Sequence, residues 1–157
     1  MLRLHLLRHA KTNPQSASGR DFDRALLPKG YQQLHEFKQF FAAHPFQVAT
    51  ISCSSALRTR QTYHELAPLF KTIPVQFLDS LYLASATLLL QHLNQLKCPS
   101  DLLLIGHNEG LSELASLLSD QAIYLDTCGY CCLEFPFEHS GYISAGTGTT
   151  VILSARI

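Results

Sequence analysis

Leu102-Leu103-Leu104-Ile105 is an unbroken apolar run bounded by Asp101 and Gly106. A strand built from it has no polar face to turn toward water, so it requires cover on both sides, the arrangement of a parallel sheet sandwiched between helices. The rest of the chain supplies the other layers. Leu2-Arg3-Leu4-His5-Leu6-Leu7 reads as a first strand and Val48-Ala49-Thr50-Ile51-Ser52 as a second. Between them Tyr31, Leu34, Phe37 and Phe41 recur at helical spacing, with Pro28 placed for the first turn and Pro45 beyond the end, which predicts a crossover helix. Ser54 or Ser55 is placed to cap a following helix on which Thr59, Tyr63, Leu66 and Phe70 share a face, and Pro74-Val75-Gln76-Phe77 then returns as a short strand. Ser85 is placed to cap a helix carrying Leu89, Leu93 and Leu96, and Leu111, Leu114, Ala115 and Leu118 make one more. Cys131 to Phe135 and Thr149 to Leu153 read as two strands joined by a Gly-rich turn, antiparallel at the sheet edge. The expected fold is a three-layer α/β/α sandwich with a mostly parallel central sheet and an antiparallel edge. At 157 residues it is expected to be a single domain over 1–157.

Charge and cysteine content narrow the function. Twelve Lys and Arg balance twelve Asp and Glu, so the surface as a whole does not attract polyanions, and neither nucleic acid nor an anionic membrane is expected as a partner. No stretch approaches 18 apolar residues, and no membrane span is expected. The five Cys are an odd number, and the apolar N-terminus runs into Arg8-His9 without a small-residue cleavage site; a reducing, cytoplasmic location and a monomer are expected. Cys128, Cys131 and Cys132 with His139 come nearest to a zinc set, but adjacent strand residues point to opposite faces, so Cys131 and Cys132 do not easily share an ion. They read as small buried hydrophobes. No metal and no cofactor are expected. Cys53 and Arg58 are spaced Cys-x4-Arg, one residue short of the Cys-x5-Arg loop of cysteine phosphatases. Gly146-Thr147-Gly148 has no helix after it and reads as a turn rather than a phosphate loop.

In sheets of this kind the working residues gather beyond the carboxyl ends of the strands. Three segments fall there: Arg8-His9, Arg58 in the helix after the second strand, and Gly106-His107-Asn108 after the apolar run. Two guanidinium forks and two imidazoles can surround a phosphoryl dianion, and a neutral imidazole is a competent nucleophile toward phosphorus. Each His also reads as an ordinary loop residue, and the chemistry depends on the fold bringing them together. His35, His44, His64 and His92 fall on helices or at a helix end and read as surface or packing residues. Lys11 is either an anion-attracting neighbour of His9 or a solvated lysine.

Leu6-Leu7-Arg8-His9-Ala10-Lys11-Thr12, Ser54-Ser55-Ala56-Leu57-Arg58-Thr59-Arg60-Gln61-Thr62 and Leu103-Leu104-Ile105-Gly106-His107-Asn108, in that order, resemble the histidine phosphatase superfamily, also called phosphoglycerate mutase-like. The short length and the Arg-His-Ala-Lys start look most like its SixA-type phosphohistidine phosphatases. The resemblance implies the phosphoglycerate mutase-like fold, a metal-independent phosphatase, His9 as the nucleophile, and Arg8 and Arg58 on the phosphoryl oxygens. It further implies that His107 completes the pocket with Asn108 beside it. It makes a phosphorylated substrate, in the SixA-type case a phosphohistidine-bearing protein, the expected partner. A phosphatase of a small sugar or nucleoside phosphate, a mutase, and a catalytically idle phosphoanion-binding module are the alternatives. Asp21-Phe22-Asp23-Arg24-Ala25-Leu26 is similar to the branch's Asp-x-x-Arg-x-Leu segment and implies Arg24 at the pocket mouth, either touching substrate or bracing its loop through Asp21 or Asp23.

Three positions depart from the family pattern. Ala10 replaces a frequent Gly, a variant shared with the SixA-type branch. Leu27 stands where Ser or Thr often precedes the helix, so a cap worth about 1 kcal/mol is missing. The Glu that serves many members as general acid has no clear counterpart: Asp79, in Asp79-Ser80-Leu81-Tyr82, and Glu109 are candidates, and each also reads as a solvated loop carboxylate. A missing acid points to a good leaving group such as that of phosphohistidine.

Overall fold

The apolar run forms β4 (Leu102–Gly106), and every residue of it is buried. In the computed structural model, which describes residues 1–154, β4 lies between β1 (Leu2–Arg8) and β2 (Thr50–Ser54), parallel to both. Leu7 sits opposite Ile105 on one side, and Cys53 on the other. β3 (Val75–Leu78) extends the parallel part beyond β2, while β5 (Tyr130–Phe135) runs antiparallel to β1 and β6 (Thr149–Ser154) antiparallel to β5. The strand order is β3-β2-β4-β1-β5-β6. This is the expected mostly parallel sheet with an antiparallel edge.

Alternation along the strands divides the core in two. Leu4, Leu6, Leu102, Leu104 and Leu133 face α3 (Ala86–Leu96) and α4 (Gly110–Ser119), where Leu89, Leu93, Leu111 and Leu114 meet them. Leu7, Leu103, Ile105 and Tyr130 face α1 (Pro28–Ala43) and α2 (Leu57–Leu66), packing with Leu34, Phe37, Tyr63 and Leu66. Cys131 belongs to the first layer and Cys132 to the second, so the pair does point to opposite faces. All five cysteines are free and buried. Among the described residues no cluster of three or more His, Cys, Asp or Glu is placed to hold a metal ion, and no helix is long and apolar enough to cross a membrane.

Local differences from the sequence expectations have physical causes. Neither Ser54 nor Ser55 caps α2, whose N-cap is Ala56 without a side-chain bond; both hydroxyls are drawn into other hydrogen bonds. Ser85 does cap α3, accepting from Leu88 N at 3.2 Å, and Leu27 precedes α1 with no cap bond, as its side chain dictates. The link from β5 to β6 is no tight turn. It includes a single 3-10 turn at Ser140–Tyr142 held to α3 by Asn94 Nδ2, which donates to the carbonyls of Ser140 and Ile143 at 3.0 Å.

Two glycines let backbone approach backbone beside the strand ends. A Cβ on Gly110 would lie 2.0 Å from the Ala84 carbonyl oxygen, and one on Gly30 would lie 2.4 Å from that of Lys11. Neither contact can be relieved by turning a side chain. Gly110→Ala is therefore expected to lower the unfolding free energy by about 1–3 kcal/mol, read from urea denaturation; an unchanged or higher midpoint would show that α4 does not press this closely on the segment before α3.

Candidate active site

β1, β2 and β4 are parallel neighbours, so their carboxyl ends open on one edge of the sheet, where loops and helix starts meet. Each hands over one of the expected segments. Arg8, His9, Arg58, His107 and Asn108 line a single cleft of about 450 Å³, together with Lys11, Thr12, Asp21, Arg24, Leu83 and Thr127 among others. Among the described residues lining it, four cationic side chains stand against one carboxylate, that of Asp21, so the local charge favours an anion.

His9 is buried, with 6% of its surface exposed. Its backbone is pinned on both sides: the N–H donates to the Gly106 carbonyl at 3.1 Å and the carbonyl accepts from Cys128 N at 2.9 Å. Its Nδ1 lies 2.8 Å from the carbonyl oxygen of Ala10. A carbonyl only accepts, so Nδ1 carries the proton and Nε2 keeps a free lone pair. Burial lowers the His9 pKa to about 3; the Ala10 bond opposes it in part, and the guanidinium charges of Arg58 and Arg8 add to the lowering. Next along the chain, Ala10 N donates to Thr62 Oγ1 at 3.1 Å and that hydroxyl donates to the Arg58 carbonyl at 2.8 Å, tying the loop after β1 to α2.

Arg58, buried on the first turn of α2, donates from Nη1 to the Asp21 carbonyl at 2.8 Å and from Nη2 to Asp21 Oδ2 at 2.9 Å. Arg8 Nη1 donates to the Leu125 carbonyl at 3.0 Å. The Nε atoms of both are buried with no hydrogen-bond partner among the described residues. Asp21 also accepts from the Tyr82 hydroxyl and from Arg24 Nη1 at 2.8 Å. The Tyr82 bond first, then Arg24 and Arg58, hold its carboxyl well below the ordinary carboxylate range, so Asp21 is a fixed anion.

His107 is 3% exposed, its ring centroid 5.4 Å from that of His9. Its Nε2 is 2.7 Å from Ser54 Oγ, and its Nδ1 has no hydrogen-bond partner among the described residues. Burial, then His9 and Arg58, lower its pKa to about 3.

The remaining expected residues fall as follows. Arg24 lines the cleft and braces its loop at once, with Nε on the Asn13 carbonyl at 2.7 Å and Nη2 on Thr12 Oγ1 at 2.5 Å. Asn108 lines the cleft but spends its amide on the protein, donating to the Leu125 carbonyl at 2.8 Å and accepting from Ser112 Oγ at 2.8 Å. Neither Asp79 nor Glu109 is among the cleft's lining residues; Asp79 accepts from Ser55 Oγ, and Glu109 is exposed before α4. Cys53 Sγ is buried against the Ser54 and Thr59 carbonyls, with burial pushing its thiol up, so it is no thiolate nucleophile. Tyr82, Thr62 and the Leu125 carbonyl escaped sequence reasoning, since nothing in their local spacing distinguishes them from packing residues.

The sequence profile of the histidine phosphatase superfamily (branch 1) matches residues 4–82. An uncharacterised chloroplastic protein of Arabidopsis thaliana is 32% identical over 143 residues, which cover 84% of this chain and 66% of that relative; the chain thus spans about two thirds of its length. The fold is similar to that of a putative phosphohistidine phosphatase SixA from Nakamurella multipartitia, with a TM-score of 0.85 at 20% identity over 99% of this chain and 96% of that one. The putative SixA of Agrobacterium tumefaciens matches with a TM-score of 0.78 at 25% identity, covering 85% of this chain and 91% of that one.

The buried imidazoles also fix how stability varies with pH. His5, stacked on Phe46 at 3.9 Å, is likewise lowered to about 3, mainly by burial. Between the ordinary value of 6.5 and about 3, the unfolded chain binds protons at His5, His9 and His107 that the folded chain refuses. Stability therefore falls as pH falls through this window, by up to about 1.4 kcal/mol per pH unit for each histidine. Urea denaturation between pH 6.5 and 4.5 is expected to show this slope, shallower by about one histidine's share in His5→Phe; an unchanged slope in that variant would contradict it.

Proposed function

The chain belongs to the histidine phosphatase superfamily, and from that premise we propose a metal-independent phosphatase that carries the phosphoryl group on His9 and takes a phosphohistidine-bearing protein as substrate. The observation that carries the reading is the bond from His9 Nδ1 to the Ala10 carbonyl, which leaves Nε2 unprotonated in a cleft shared with the Arg8 and Arg58 guanidiniums. Phosphoryl transfer needs in-line positioning and stabilisation of charge on the equatorial oxygens more than it needs covalent assistance. The guanidiniums supply that charge. The His9 Nε2 lone pair forms a bond to phosphorus while the bond from phosphorus to the substrate breaks, its electron pair leaving with the substrate. Water then attacks the phosphoimidazole, the bond between phosphorus and Nε2 breaks and returns the lone pair to His9, and the proton of the water departs with the phosphate.

The leaving-group side supports phosphohistidine. Among the described residues lining the cleft the one carboxylate is Asp21, which its three donors keep ionised and so unfit to donate a proton. An alkoxide needs such a donor; the imidazole of a phosphohistidine whose other ring nitrogen is already protonated leaves neutral and does not. A phosphatase of a small phosphometabolite is the second reading, favoured by a cleft volume typical of sites for such ligands. A neighbouring hollow lined by Gln15, Ser16 and Arg20 shares Asp21 and Arg24 with it. The five free cysteines fit a reducing compartment, which is the basis for placing the protein in the cytoplasm.

In EDTA, the wild type is expected to turn over p-nitrophenyl phosphate and a phosphohistidine peptide, and His9→Ala to lose at least about 10³-fold in kcat. Equal turnover by the variant would refute the reading, and a sugar phosphate turned over far faster than the peptide would put the second reading first.

A further inference from the structure

The active site contains a hydroxyl that controls one of its imidazoles. Ser54, the last residue of β2, is fully buried. Its Oγ accepts from Ala56 N at 3.3 Å and lies 2.7 Å from His107 Nε2, and among the described residues it has no other hydrogen-bond partner. A serine hydroxyl carries one proton. If Nε2 held a proton and donated it to Ser54, the Oγ would accept twice and its own proton would be stranded in a dry interior. If the hydroxyl donates to Nε2 instead, every polar atom of Ser54 is satisfied. The ring proton then has to sit on Nδ1, which is buried, has no hydrogen-bond partner among the described residues and belongs to a residue lining the cleft.

We propose that Ser54 is a positioning residue that fixes His107 as the neutral tautomer protonated on Nδ1, so that the ring presents an N–H donor, not a lone pair, to a phosphoryl oxygen. The inference rests on the phosphatase reading for its catalytic consequence but not for the tautomer. The two histidines of the cleft would thus be set in complementary states by different devices: His9 by the Ala10 carbonyl, which accepts from its Nδ1, and His107 by the Ser54 hydroxyl, which donates to its Nε2. One ring offers a lone pair to phosphorus and the other a hydrogen to oxygen. A lone pair on His107 Nδ1 would instead repel the anion that the guanidiniums attract. Burial, with the charges of His9 and Arg58, lowers the His107 pKa and so keeps the ring singly protonated, the state in which Nε2 can accept from Ser54.

The experiment is ¹⁵N NMR of histidine-labelled protein in the resting state at pH 7, comparing wild type, Ser54→Ala and Ser54→Cys, with thermal unfolding as the folding control. The wild type is expected to show His107 protonated on Nδ1 and bare on Nε2. In Ser54→Ala, and in Ser54→Cys through its weak S–H donor should the alanine variant fail to fold, the ring is expected to shift toward the Nε2-protonated form. A fall of about tenfold in kcat on p-nitrophenyl phosphate should accompany it, the phosphoenzyme still forming on His9. A wild-type His107 protonated on Nε2, or a tautomer indifferent to both substitutions, overturns the proposal. Absence of turnover in the wild type would refute the phosphatase reading and leave the tautomer comparison intact.

Discussion

A neutral imidazole held among guanidinium groups, almost out of contact with water, is the condition on which the rest of the molecule depends. Imidazole in water is half protonated near pH 6.5, and a protonated ring is no nucleophile. Burial and the neighbouring charges of Arg58 and Arg8 remove that proton, and the Ala10 carbonyl decides which nitrogen keeps the remaining one. All of these are properties of place rather than of residue type. They require that β1 end beside β4 and β2, which is what a parallel order with α-helical crossovers enforces.

The same arrangement leaves hydrogen-bonding capacity unmet on three side chains that line the cleft. Arg8 Nε, Arg58 Nε and His107 Nδ1 are buried without partners among the described residues, each costing about 1–3 kcal/mol in a folded protein. The protein compensates by fixing the other ends of those side chains: Asp21 takes two donors of Arg58, the Leu125 carbonyl one of Arg8, and Ser54 the far nitrogen of His107. On the proposed reading, with His107 protonated on Nδ1, these three donors would be oriented before any ligand arrives, which would lower the reorganisation needed when charge develops on the phosphoryl oxygens. Asp21 does more than neutralise Arg58. By gathering Arg58, Arg24 and Tyr82 on one carboxylate, it locks the loop that carries it against α2 and closes one wall of the cleft.

Much of this was legible in the sequence because its causes are local or periodic. The run at 102–105 suits a strand covered on both faces, and it is the wholly buried β4. Arg8, His9, Arg58 and His107 stood where a parallel sheet would gather them, and they share one cleft. What stayed hidden depends on contacts between distant segments. Ser54 had the residue type of a helix cap, but its hydroxyl serves His107, 53 positions away. Asp79 and Glu109 were read as acids from their neighbourhood in the chain, whereas the carboxylate that reaches the cleft is Asp21, through a loop whose path no periodicity encodes. The β5–β6 link, read as a Gly-rich turn, also carries a 3-10 turn that Asn94 on α3 holds in its middle.

The most direct test of the central claim is the identity of the nitrogen that carries phosphorus. Enzyme mixed rapidly with substrate, trapped at alkaline pH and analysed by ³¹P NMR together with ¹⁵N-labelled histidine should show phosphorus bonded to Nε2 of His9 and to no other residue. Phosphorus on Nδ1 of His9, on His107, or on no histidine at all during demonstrated turnover would contradict the account, since each would mean that the Ala10 carbonyl does not select the nucleophile.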